Sequence, residues 1–252
     1  MKLIKFFLIR TRFVYRNILS EIAGGILFII IQFSFFKNFI TTGTDYNDTT
    51  FFIYIVISFI ITSCCSSTIV EYLCAGYQRN SLSSKFITER SLYSYLVINT
   101  LIEKICMFLF FSCLFIGSLL AIKKIDMSFF ARMYFFIPSL ILAFLLDIFM
   151  RIIIASILIT NRSTQSILKA YNQVVRILSG AIVPISFFPA ILGAVIFYLP
   201  FYYLLFYPLD VLLIEFDMSG LIIQSALTLI LFIVSVISFK QMEKRLKREG
   251  GL

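Results

Sequence analysis

Asp147 and Arg151 are the only charged residues in the apolar run Met133–Ile159, four positions apart. A charge deep in hydrocarbon costs about 2.5–3.5 kcal/mol, and residues at i and i+4 share one helix face, so the spacing predicts an ion pair. Its role is either a structural clamp or part of a polar path. Glu103 and Lys104 interrupt a second apolar run, Leu96–Ile122, about two turns in. They are expected to snorkel to the nearer interface on their long stems. Asn172, Gln173 and Arg176 form a third polar group, in the inner half of a later helix. Polar groups inside a membrane are functional candidates by default, and the other reading is a hydrogen-bonded helix contact near the headgroups.

None of these residues forms a catalytic set. The chain has no histidine, which excludes Ser-His-Asp triads, HExxH zinc sites and imidazole relays. No acid pair or nucleophile–base pair replaces them, so enzymatic activity is not expected. No GxxxxGK[ST] loop occurs, so the chain has no P-loop for ATP. Cys64, Cys65, Cys74, Cys106 and Cys113 are odd in number, lack CxxC spacing and lie in or beside apolar runs. They read as reduced, buried thiols rather than a disulfide or metal framework.

The elements that carry these residues must be membrane helices. Of 252 residues 60% are hydrophobic and 14% charged, with a mean hydropathy of +0.99. A soluble domain of that size could not hide so much apolar surface. A crossing helix needs about 20 apolar residues, which leaves room for roughly six. The net charge of +9 sits at segment ends, where it reads as a topology signal rather than a nucleic-acid surface.

Residues 1–17 put Lys2, Lys5, Arg12 and Arg16 on one arc opposite Leu3, Phe7 and Val14, as in a helix lying in the cytoplasmic interface. The apolar run that follows has no small-residue cleavage site, so this segment is expected to be retained. Crossings are expected at 18–40, 51–70, 96–122, 133–159, 167–187 and 221–239. The N-terminus and the tail after Phe239 carry five basic residues each, and the 71–95 loop carries three, which places all three regions inside. Lys123, Lys124 and Arg132 are the exception, since this count leaves them outside.

The stretch Ile177–Leu209 has no charge for 33 residues. As a straight helix it would run roughly 50 Å, too long for one crossing and too short for two with a loop. Pro184, Pro189, Pro200 and Pro208 interrupt it. The expectation is a fifth crossing followed by a broken helical hairpin over 188–213 that enters and leaves the outer leaflet. Asp210, Glu215 and Asp217 then mark its aqueous end, and its freed backbone must be satisfied by protein or water.

The segment SGAIVPISFFPAILGAVIFYLPFYYLLFYPLDVLL, residues 179–213, resembles the end of the fifth helix and the external hairpin of ABC-2-type exporter permeases. The closest pattern is the branch with Ser-Gly, two spaced prolines, Leu-Pro-Phe and Tyr-Pro. The six-helix layout and the basic N-terminal helix agree over the whole chain. The resemblance implies an all-α polytopic membrane fold with one transmembrane domain over 1–252. It has six transmembrane helices, an N-terminal interfacial helix and a re-entrant hairpin between helices 5 and 6. It also implies a chain without ATPase activity that binds no cofactor and pairs with a second permease, identical or similar. Two separate ATP-binding subunits would carry the ATP and Mg.

In such permeases the cytoplasmic loop after helix 2 holds the coupling helix, which corresponds here to residues 71–90. Gly76, Tyr77, Arg79, Leu82, Lys85 and Phe86 are the implied contacts, although Lys85-Phe86 stands where the family often has Arg-Pro. Without the family, the loop mixes aromatics and charges as a partner surface does, or as a solvated loop with interfacial aromatics does. Asn172, Gln173 and Arg176 fall where the resembling exporters have their dimer seam and substrate path. The implied setting is the bacterial cytoplasmic membrane, with both termini inside, lipid around it and no nucleic acid. The alternative is a non-transporting membrane immunity or sensor protein that binds a toxin or lipid. The substrate is open among drugs, peptides, lipids and glycans.

Overall fold

The computed structural model describes residues 24–36, 48–65, 69–70, 73, 92–122, 127–159, 164–214 and 217–249. Every described element is helical: α1 Gly24–Phe36, α2 Asp48–Cys65, α3 Leu92–Ile122, α4 Met127–Leu158, α5 Thr164–Leu178, α6 Ala190–Phe197, α7 Phe206–Leu213 and α8 Met218–Glu249. Single 3-10 turns stand at Ile185–Phe187 and Tyr202–Leu204. Contacts divide the chain into two compact units, Met1–Phe59 and Ile60–Leu252, with the division falling inside α2.

Three helices, α3, α4 and α8, are long and apolar enough to cross a membrane. A chain with this composition and three such helices is a membrane-associated helical protein. The expected interfacial helix at 1–17 lies outside the described residues, as does nearly all of the 71–95 loop.

In the first unit α1 approaches α2 through aromatic edges. Phe33 meets Phe52 edge-on at 5.6 Å, and Phe36 meets Phe51 at 6.2 Å. Gly25 makes close approach possible, because a Cβ there would run into the Phe59 ring.

In the second unit α4 is the central helix. Buried residues make up 67% of its apolar span, against 22% for α3 and for α8. Its inward stripe Ile148, Ile152, Ala155, Ile159 follows helical spacing. That stripe packs with Leu92 and Leu96 of α3, Leu168 of α5, Phe239 and Met242 of α8, and Ile69, Val70 and Leu73. Tyr93 and Ser235 join α3 to α8 by a hydrogen bond of 2.7 Å. Pro138 sits inside α4, where it leaves a carbonyl one turn back without its helical donor.

The helix at the expected fifth crossing, 167–187, runs from Thr164 to Leu178 and so ends nine residues early. Gly180, at φ 82°, ends it. The Gly180 N–H donates to the Ile177 carbonyl and the Ala181 N–H to the Arg176 carbonyl, closing a Schellman motif. Ser-Gly is therefore a helix stop, because glycine alone takes a left-handed backbone without steric cost. Three of the four prolines after Gly180 stand at helix starts. Pro184 precedes the first 3-10 turn, Pro189 precedes α6 and Pro208 lies in the first turn of α7, where a missing N–H costs nothing. Pro200 lies in the turn between α6 and the second 3-10 segment. The last helix exceeds its expected span, continuing through the basic tail to Glu249.

Candidate functional site

The structure brings Asp147 and Arg151 together, with Arg151 Nε donating to both carboxylate oxygens at 2.8 and 3.0 Å. Lys104 joins them. Its Nζ donates to Asp147 Oδ2 at 2.7 Å and is 2% exposed, so the expected snorkelling to the interface does not occur. The reason is Asp147 itself: a buried carboxylate across the helix contact offers the ammonium a charge-assisted bond without a route to water.

Two cations against one carboxylate leave a positive surplus, and backbone oxygens take it up. Lys104 Nζ donates to the Cys64 carbonyl at 3.1 Å, and Arg151 Nη2 donates to the Cys65 carbonyl at 2.6 Å. Both carbonyls belong to α2. Arg151 Nη1 reaches α5 through Asn172 Oδ1 at 3.1 Å. The guanidinium also lies over the Tyr171 ring at 5.7 Å, and the ammonium over Phe144 at 5.6 Å. One buried centre thus binds α2, α3, α4 and α5. With its carboxylate doubly paired, it can hold helices together but offers no free acid or base.

The group Asn172, Gln173, Arg176 is not one patch. Asn172 is half-buried against Arg151, whereas Gln173 and Arg176 are exposed. Arg176 falls in the last turn of α5, where a cation suits the helix dipole. The coupling residues Gly76, Tyr77, Arg79, Leu82, Lys85 and Phe86 lie outside the described residues. Cys64 and Cys65 are buried free thiols, but Cys106 is exposed, which corrects the expectation that all the cysteines are buried. Among the described residues no cluster of His, Cys, Asp or Glu could hold a metal.

A second polar knot was missed in the sequence. Gln224 of α8 donates to the Ser139 carbonyl at 2.9 Å and the Tyr203 carbonyl at 3.0 Å, and accepts from Ser139 Oγ at 3.0 Å. A lone amide in an otherwise apolar stretch was the available signal. Ser139 directly follows Pro138 inside α4. Arg132 is also put to use locally: its Nη1 donates to the carbonyls of Leu213 and Ile214 at the end of α7. That contact supplies a structural reason for a cation where the charge count disfavours one.

No protein-family model matches the chain, and no curated protein matches it.

Proposed function

We propose that the chain is the permease subunit of an ATP-driven ABC-2-type exporter in the bacterial cytoplasmic membrane. Two such chains, identical or similar, form the substrate pathway, and two separate ATP-binding subunits drive it through the 71–95 loop. In this reading the chain crosses six times, both termini face the cytoplasm, and residues 188–213 re-enter the outer leaflet.

The observation that carries the reading is the break after α5. A helix stop at Gly180 is followed by two eight-residue helices, Ala190–Phe197 and Phe206–Leu213. Each spans about 12 Å, less than half the hydrocarbon thickness, so neither is a crossing. Their order after a Ser-Gly stop agrees with the resemblance of residues 179–213 to exporter hairpins. The polar centre at Asp147 is compatible with it, because charges inside such a bundle need partners on several helices.

Purification from the native membrane in mild detergent tests the reading. A stoichiometric ATP-binding subunit supports it, and a chain that purifies without one opposes it. Charge reversal at Arg79 or Lys85 is then expected to abolish the coupling of ATP hydrolysis to the membrane subunit while leaving membrane insertion intact. Unchanged coupling would remove the loop from the contact.

A further inference from the structure

An open groove of about 460 Å³ lies beside α6, lined by Ile185, Ser186, Gly193, Ala194, Phe197, Tyr198, Tyr202 and Phe206. Its size lies within the range of small-molecule sites. Two features separate it from an ordinary lipid-facing groove. The first is its aromatic wall. Phe197 meets Tyr198 and Tyr202 at 5.5 and 5.1 Å, and Tyr202 continues to Phe206 at 5.2 Å, so four of the eight lining residues form one ring cluster. The rest of the lining includes the small residues Ser186, Gly193 and Ala194, and a Cβ on Gly193 would meet nothing within 4 Å.

The second feature is charge. From Ile177 to Ile214 the chain holds no Lys or Arg, while Asp210 and Asp217 stand at the end of the same segment. The ring cluster extends from Tyr202 to Tyr203 and Tyr207, and the Tyr207 hydroxyl donates to the Asp217 carbonyl at 2.7 Å. Arg132, a cation brought to this segment, is held by the carbonyls of Leu213 and Ile214. Aromatic rings attract cations through their quadrupole, and an apolar wall without fixed positive charge favours a cation whose charge is spread over a greasy body.

We propose that this groove is a binding site for lipophilic organic cations. The site goes beyond the exporter reading, since binding here requires neither ATP nor a second permease.

The test uses the full chain in nanodiscs of zwitterionic lipid, with empty nanodiscs as the blank. Tetraphenylphosphonium and tetraphenylborate have one shape and opposite charge. Equilibrium dialysis is expected to show saturable binding of the phosphonium and only blank-level partitioning of the borate. Gly193→Leu fills part of the groove, and replacing glycine inside a helix favours folding. It is expected to weaken phosphonium binding about tenfold or more without lowering thermal stability. Tyr198→Leu is a second variant that keeps the core, since Tyr198 is 78% exposed, and is expected to weaken binding in the same direction. Equal saturable binding of both ions, no saturable phosphonium binding, or binding unchanged in both variants would overturn the assignment.

Discussion

Lys104 and Asp147 stand 43 residues apart and meet at 2.7 Å, with 2% and 0% of their side chains exposed. The contact turns an i,i+4 pair on one helix into a centre that ties separate helices. It also sets an order of importance among its members, because Asp147 pairs with both cations.

Asp147→Ala should be the most damaging change at this centre, leaving two buried cations facing only backbone oxygens. The expected loss is about 3–5 kcal/mol, or failure to accumulate in the membrane. Lys104→Met leaves the Asp147–Arg151 pair intact and should cost less, about 1.5–3 kcal/mol. Thermal unfolding in mild detergent ranks the two, and a reversed order would show that Arg151 does not share the carboxylate.

Gln224→Leu removes the amide that serves the carbonyls of Ser139 and Tyr203. The Tyr203 carbonyl loses this donor and the Ser139 hydroxyl loses its acceptor, at about 1–3 kcal/mol each. Since Gln224 links α4, α8 and the segment before α7, proteolysis between α6 and α7 should become faster in this variant. Unchanged cleavage would mean that apolar packing alone holds that segment.

Gly220→Ala should destabilise although alanine is the better helix former. Its Cβ would run into the Tyr207 ring, and Tyr207 donates its hydroxyl to the Asp217 carbonyl at 2.7 Å. Overpacking of about 1–3 kcal/mol exceeds the propensity gain of about 1 kcal/mol. A variant as stable as the parent would show that the tyrosine moves aside freely.

Asp217 precedes α8 and caps it, accepting from the Ser219 N–H at 3.0 Å and from the Ser219 hydroxyl. These bonds, the hydroxyl first, hold its carboxyl below the ordinary range. Because the native value lies below the unfolded one, the cap contributes fully above about pH 4 and is lost as pH falls through the lowered value. Hydrogen-exchange protection in the first turn of α8, taken relative to the intrinsic rate at each pH, should therefore fall on acidification in the parent. Asp217→Asn keeps a capping oxygen and should show no such pH dependence.

The long helices were readable because their apolar runs lack internal stops and exceed what a soluble core could absorb. The stop at Ser179-Gly180 was less so. The apolar run continues past it, and hydropathy does not register the left-handed backbone that ends α5. Lys104 was misread for a related reason. Adjacent Glu103 cannot face it on a helix, and the partner that keeps it buried lies on another helix, at a distance in sequence that no local spacing encodes. In the group Asn172, Gln173, Arg176 the residue types were visible, but only the position of Arg151 beside α5 shows that Asn172 alone turns inward.

Composition and period by themselves determined that this chain is helical and membrane-associated, that it has no histidine chemistry and no P-loop, and that Asp147 needs a cation four residues on. These follow from the cost of exposing apolar surface to water and of leaving a charge unpaired in hydrocarbon, which act on any arrangement of the same residues. Tertiary structure decided which second cation the carboxylate takes, which carbonyls absorb the remaining charge, and where rings from separate segments line an open groove. Those outcomes depend on close approach between residues far apart in the chain, and close approach is a property of packing.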